Sequence, residues 1–250
     1  MANRFYDPGA RRSAKVRDLF AAIAPRYDLI NDLQSFGLHR WWKRRLIHLA
    51  GVRPGERALD LCCGTGDLAF GLARQGAHVV GVDFSAPMLA AAQARCRERL
   101  RTASASNRVQ PARGNPEFLR GDALNLPFPD ASFHLVTIGY GLRNLADFER
   151  GLREMSRVAK PGARLLVLDF GKPDNALWRA VYFSYLKWFV PLFGRVFCGD
   201  PATYAYILES LKHYPAQEGV AAKMRELKCA RVCVVNLLGG VMSIHYGEKR

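Results

Sequence analysis

The chain is short of acid: 22 aspartates and glutamates stand against 37 lysines and arginines, a formal net charge of +15 over 250 residues. Such an imbalance calls for an anionic partner, and charge alone leaves two, nucleic acid or the anionic face of a membrane. The opening "MANRFYDPGARRSAKVRD" has arginines but no apolar core of signal-peptide length, so export is not expected. Cysteine is sparse, six in all, and no pair has zinc-finger or disulfide-scaffold spacing, so neither a metal site nor a disulfide framework is expected. Cys62 and Cys63 are neighbours on an apolar run; Cys229 and Cys233, four apart in an expected strand, should face the same way as buried thiols. These thiols suit a reducing cytoplasm. Long apolar runs are missing too: "LWRAVYFSYLKWFVPLFGRVF" (177–197) is broken by Arg179, Lys187, Pro191 and Arg195, which excludes a membrane-spanning helix there.

What is present suits an enzyme-sized α/β domain. The length and 49% hydrophobic content are enough for one full core. Strand-like runs at 56–63, 78–84, 117–124, 133–140 and 163–170 alternate with helical runs at 67–75, 86–101 and 146–159, the pattern of a parallel sheet with right-handed crossovers. "ARVCVVN" and "VMSIHYG", joined by Leu237 to Gly240, are too close for anything but an antiparallel hairpin. A mostly parallel, doubly wound sheet closed by such a hairpin is the class I S-adenosylmethionine-dependent methyltransferase fold. The expected division of this single domain is a helical cap of two helices (1–50, with 1–15 polar and loose), a cofactor-binding core (51–170), an aromatic lid insert (171–215), and a final helix with the hairpin (216–250). Residues 101–115 read as a surface loop.

The stretch "LDLCCGTGDLAFGLA" (59–73) is a strand, a glycine turn and a helix. A dinucleotide fingerprint would place glycine at the third position of G-x-G-x-x-G; here Gly64, Thr65 and Gly66 are followed by Ala69. Asp60, just before the turn, would repel a diphosphate but welcome a cationic, amino-acid-like ligand. S-adenosyl-L-methionine is such a ligand. Ligands of doubly wound sheets lie across the carboxyl ends of the strands. There Asp83 could accept bonds from both ribose hydroxyls, and Asp122 with Ala123 could meet the adenine. Asp83 as the N-cap of the next helix and Asp122 as a turn residue are the plainer alternatives.

The fourth strand lacks the Asp/Asn-Pro-Pro-aromatic tetrad with which enzymes acting on nucleic-acid amines hold the amine, and reads "IGYGLRN" instead. No cysteine follows a proline, as the nucleophile of pyrimidine-carbon RNA methyltransferases often does. An RNA methyltransferase is therefore the second reading, and a non-catalytic adenosylmethionine-binding or dinucleotide-binding module the third.

Tyr27, Asp28, Asn31, Ser35, His39 and Trp42 match the Tyr-Asp-x-x-Asn, Ser, His, Trp pattern of the ubiquinone/menaquinone-biosynthesis C-methyltransferases. "GYGLRN" resembles that family's Gly-Leu-Arg-Asn segment, and "SRVAKPGARLLVLDF" its second signature. The likeness runs from about Val16 to the end of the chain. Asp169 and "YAYILESLKHYP" lean towards the naphthoquinone branch, which includes the phylloquinone enzymes. The resemblance implies an S-adenosylmethionine-dependent C-methylation of a lipophilic prenylated quinol, demethylmenaquinol to menaquinol, with demethylphylloquinol or a ubiquinone-pathway benzoquinol as alternatives. It implies no nucleic-acid partner, a cytoplasmic protein peripherally associated with the membrane, and it leaves a homo-oligomer open.

A ring carbon attacks only when electron-rich, so the substrate must be reduced and preferably deprotonated. His39 is the candidate base, with water as its competitor; Arg143 is the candidate cation for the phenolate; Tyr27 and Asn144 would orient the ring oxygens. A helix face holding Tyr27, Asn31, Ser35 and His39 is the plainer alternative, although Gly37 should break that helix. The aromatic stretch 177–197 is read as a cover over prenyl chain and ring, near the bilayer, with Val181, Tyr185, Trp188 and Leu192 at helical spacing and most sides covered; a packed core helix is the alternative.

Overall fold

Apolar residues on both faces make the middle strands insoluble except between two helical layers, and the chain folds accordingly. The computed structural model describes residues 3, 5, 7, 11–105 and 114–250. Its seven-stranded sheet has the order β3-β2-β1-β4-β5-β7-β6: β1 (Arg57–Leu61), β2 (His78–Asp83), β3 (Glu117–Arg120), β4 (Phe133–Gly139), β5 (Ala159–Phe170), β6 (Cys229–Leu237) and β7 (Met242–Lys249). The first five pair in parallel and β7 runs antiparallel to both β5 and β6, the class I methyltransferase layout expected above.

Alternation along β5 divides the core. Leu165 and Val167 enter the layer that holds Leu19, Ile30, Met155 and Tyr182, while Leu166 and Leu168 enter the layer of Trp42, Leu46, Leu72 and Ile244. Because side chains of a strand point alternately up and down, one strand serves both layers.

Several boundaries differ from expectation. The cap holds three α-helices rather than two: α1 (Arg12–Ile23), α2 (Tyr27–Gln34) and α3 (Leu38–Ala50). Of the described residues in the segment expected to be loose, Phe5 is buried and the Asn3 side chain donates to the Ala202 carbonyl at 2.9 Å. Between α2 and α3, Phe36 and Gly37 have φ of 52° and 74°, which breaks the helix where glycine was expected to do so. Two of the crossover helices are α4 (Asp67–Arg74) and α5 (Ala86–Ala105); α5 consumes the start of the expected loop 101–115, whose residues 106–113 lie outside the described ones. The third is α6 (Phe148–Val158). Cys229 is buried but Cys233 is exposed. The register of β6 shifts between Ala230 and Cys233, where Arg231 has φ of 49°, and the additional residue of that bulge turns Cys233 to the other face.

The aromatic stretch is two helices, α7 (Ala176–Trp188) and α8 (Val190–Cys198), followed by α9 (Ala202–His213) and α10 (Ala216–Glu226). Pro191 in the first turn of α8 explains the break. The expectation that this segment is covered on most sides is wrong. Tyr182, Leu186 and Val190 are buried, but Val181, Trp188 and Leu192, three of the four residues placed on the expected stripe, are at least half exposed, as are Leu177, Phe189 and Val196. Among the described residues no helix is long and apolar enough to cross a membrane.

Candidate active site

The sheet order reverses between β1 and β4, so their carboxyl ends part and leave a crevice, the usual ligand position in such sheets. The turn after β1 is shaped for close approach. Gly64 has φ of 55° and open space where a Cβ would stand; Gly66, φ 87°, carries none because the Phe118 ring would lie 2.7 Å from it. Beside the turn is a cavity of about 160 Å³ whose walls include Gly64, Asp83, Asp122, Ala123, Asn144, and Val16 and Phe20 of α1.

Asp83 stands in the cavity wall and is not the helix cap weighed as its alternative. Its carboxylate accepts from the Gly64 and Ser85 backbone N–H groups, each at 2.8 Å, and it also faces the cavity; α5 begins only at Ala86, so the Ser85 bond closes an Asx turn instead. Burial pushes its pKa up against the pull of those N–H groups. Asp122 likewise turns the chain, accepting from Leu124 N–H at 2.9 Å, and remains exposed at the cavity wall beside Ala123.

Three expected cofactor residues stand behind this wall. Asp60 is 1% exposed and accepts from Ala69 N–H at 3.1 Å and Thr137 Oγ1 at 2.8 Å, so it joins β1, β4 and α4 under the turn. Burial raises its pKa to about 7. Thr65 donates to Asp28 of α2 at 3.0 Å, and its carbonyl accepts from Arg95 of α5 at 2.9 Å. Gly66 supplies backbone geometry. Arg95 also meets Asp67 at 2.8 Å, and Asp67 meets Lys43 of α3 at 2.7 Å. These two cations hold the Asp67 carboxyl well below its ordinary range despite burial, and the chain of contacts fastens the helical cap to the glycine turn.

A larger cavity, about 350 Å³, lies beneath the cap and α7 to α9, and Phe20, Tyr27 and Tyr140 line both cavities. His39 and Arg143 line the larger one; Asn144 lines only the smaller. Asn144 is internally satisfied, its amide donating to the Tyr140 carbonyl at 3.0 Å and its oxygen accepting from Tyr206 OH at 2.6 Å. Tyr27 has its phenol pKa raised by burial, with Lys43 opposing.

His39 is 4% exposed, and burial beside Lys43 lowers its pKa to about 4. Its tautomer follows from Ser35. The Ser35 hydroxyl donates to the Asn31 carbonyl at 2.5 Å; having one proton, it must accept from His39 N–H and from Nδ1, at 3.2 and 3.0 Å. Nε2 is then the acceptor nitrogen.

Arg143 is 5% exposed, in a 3₁₀ turn (Leu142–Asn144) after β4. One guanidinium nitrogen donates to Asp169 at 2.6 Å and to the Tyr140 carbonyl at 2.7 Å, and the Phe170 ring lies 4.4 Å beneath. Burial opposes its charge, but Asp169 raises its pKa above the ordinary arginine value. Asp169, fully buried at the end of β5, also accepts from Arg143 and Phe170 backbone N–H at 3.0 and 2.8 Å. In the sequence Asp169 stands out only as a mark of lineage, and nothing there singles out Tyr140, Tyr182 and Tyr204, which line the cavity. The signal for Asp169 was available, because a carboxylate amid "LLVLDF" needs a buried cation.

The family model described as the ubiE/COQ5 methyltransferase family matches residues 9–249. Among curated proteins, the ubiquinone/menaquinone biosynthesis C-methyltransferase UbiE of Ectopseudomonas mendocina is 42% identical over 249 residues, covering 97% of this chain and 91% of the relative. The protein of the same name from Pseudomonas savastanoi pv. phaseolicola is 43% identical over 245 residues, with the same coverage. Among solved structures, magnesium protoporphyrin IX methyltransferase from Synechocystis PCC 6803 has a TM-score of 0.66 at 19% identity, covering 95% of this chain and 100% of that one. A possible histamine N-methyltransferase from Thermotoga maritima gives 0.63 at 19%, covering 93% and 99%. At that identity the structural likeness speaks for the fold alone.

Proposed function

This chain belongs to the ubiE/COQ5 methyltransferase family, and from that membership we propose that it methylates a ring carbon of a prenylated naphthoquinol, demethylmenaquinol to menaquinol, with S-adenosyl-L-methionine as methyl donor. The observation that carries the reading is the meeting of two unlike cavities at Phe20, Tyr27 and Tyr140. The smaller, with Asp83 and Asp122 at strand ends, suits the hydroxyls and amines of the donor; the larger, mostly apolar with one buried cation, suits a greasy ring that becomes an anion.

The donor supplies an electrophilic methyl on a sulfonium. The ring carbon would bond to that methyl as the carbon–sulfur bond breaks, and the ring C–H proton would pass to water to restore aromaticity. The protein's part is alignment and charge. Arg143, held rigid by Asp169 and the Tyr140 carbonyl, stabilises the phenolate. His39, near 4, is too weak a base to take a phenolic proton outright, so it acts as a neutral hydrogen-bond acceptor and the proton leaves through water. Segment 171–215 covers the ring.

Peripheral membrane contact belongs to the same reading. Phe36, Leu38, Trp178, Val181 and Leu238 are each exposed and also line the larger cavity, so its mouth is an apolar rim. Trp188, Phe189 and Leu192 are exposed as well, and Arg40, Arg44, Lys187 and Arg195 lie on α3, α7 and α8. An anionic bilayer that holds the substrate fits that mixture.

The test is anaerobic transfer from labelled methyl donor in anionic vesicles carrying reduced naphthoquinol, reduced benzoquinol or oxidised naphthoquinone, with total RNA as a further acceptor. Label should enter the reduced naphthoquinol, and the protein should sediment with the vesicles. Preference for the benzoquinol would reassign the substrate; label in RNA, or equal turnover of oxidised and reduced rings, would defeat the mechanism.

A further inference from the structure

Buried polar atoms almost always have hydrogen-bond partners, because an unpaired one costs stability. In the wall of the larger cavity that rule fails repeatedly. The hydroxyls of Tyr140, Tyr182 and Tyr204 are buried and without a partner, and so are Trp42 Nε1 and Arg143 Nε. Tyr182 and Tyr204 are 5% and 3% exposed. They come from α7 and α9, whereas Tyr140 follows β4, so three separate elements contribute to one cavity wall. The remaining lining is largely apolar, including Leu19, Ile23, Phe170, Leu186, Val190 and Ile207. Tyr140 and Tyr182 both lie within electrostatic reach of Arg143, and Tyr204 within reach of Tyr27. Burial keeps all three phenols protonated, with pKa values raised, so each can donate one bond and accept another.

We propose that Tyr140, Tyr182 and Tyr204 are specificity-determining residues that bind the oxygens of a para-dihydroxylated ring, so that the 171–215 segment recognises the ring as well as covering it. The inference rests on the quinol reading and deepens it. A ring carrying two hydroxyls presents two donors and two acceptors in a plane, and rotatable phenol hydroxyls around an apolar slot satisfy both ends. Rings lacking one hydroxyl would leave a phenol unpaired, and discrimination against a missing hydrogen-bonding group is stronger than against a missing methylene.

The role predicts opposite signs for stability and binding. Removing an unpaired buried hydroxyl takes nothing from the free protein, whereas it strands a hydroxyl of the bound ring. Tyr140→Phe, Tyr182→Phe and Tyr204→Phe in the full chain should therefore keep or raise Tm, and raise KM for a short-chain prenylated naphthoquinol about ten-fold. Discrimination between that quinol and its monomethyl ether should shrink in the same variants. KM within two-fold of wild type in all three, or a raised KM that comes with a lowered Tm, overturns the proposal. A wild-type chain inert on every quinol removes the functional reading and this inference with it; an active wild type with indifferent variants removes the inference alone.

Discussion

Asp169→Asn should be the most informative single change, because it alters one charge at the centre of the site and almost no volume. In the parent, one carboxylate accepts from the Arg143 guanidinium, the Arg143 backbone N–H and the Phe170 backbone N–H, at 2.6, 3.0 and 2.8 Å, with no exposure to solvent. Asparagine replaces one acceptor oxygen by an amide donor, so two donors must face each other somewhere in that cluster. Arg143, also buried, loses its counter-ion and retains the Tyr140 carbonyl and the Phe170 ring. Stranding one member of a buried pair costs roughly 3–5 kcal/mol, and for a chain of this size that corresponds to a fall in Tm on the order of 10 °C. Urea unfolding of Asp169→Asn, Arg143→Met and the double variant measures the coupling. Once the cation has gone the asparagine does less harm, so the double variant should be at least about 1 kcal/mol more stable than the two single losses predict. Turnover separates stability from chemistry. Arg143→Ala should lower kcat by a factor on the order of 10²–10³ with a smaller effect on KM, as loss of transition-state charge stabilisation does, while Asp169→Asn, which keeps the guanidinium, should lose less. Additivity within about 0.5 kcal/mol, or an Arg143→Ala enzyme that is folded and near parental in rate, would refute the reasoning.

Two further predictions concern titration and the donor. His39 has a folded pKa of about 4, below the ordinary 6.5, so the unfolded chain takes up its proton first as pH falls; stability should decline between pH 6.5 and 4 by up to about 3 kcal/mol, and His39→Gln should flatten that part of a urea-midpoint profile. The same value puts no acid limb of kcat/KM near 6.5, and an acid limb there that vanishes in His39→Ala would restore the histidine as general base. Asp83→Ala should weaken S-adenosyl-L-methionine binding on the order of 1.5–3 kcal/mol for each charge-assisted bond lost, read by calorimetry; unchanged affinity would reduce Asp83 to a turn residue.

Much of what depends on local periodicity and turn chemistry was readable from the residues in order, although the break between α1 and α2 and the extension of α5 to Ala105 were not. Alternating strands and helices, the glycine turn at Gly64 and Gly66, the break at Gly37 and the closing hairpin follow from side-chain spacing and backbone freedom, which neighbours in the chain decide. Placement of His39 and Arg143 in one cavity wall was expected from motif resemblance rather than derived. Tertiary structure alone decided the rest. The β6 bulge at Arg231 reversed Cys233, because one inserted residue inverts every later side chain. Asp60 and Thr65 became fasteners behind the smaller cavity, since which face of a turn meets that cavity depends on where α2, α4 and α5 pack. Asp169, some 26 residues after Arg143, became its counter-ion only because β4 and β5 are adjacent in the sheet. The three unpaired phenols meet one cavity from the end of β4, α7 and α9, and the outward apolar face of α7 and α8 became visible only when the helices were packed, for burial belongs to the assembled chain and no window of sequence contains it.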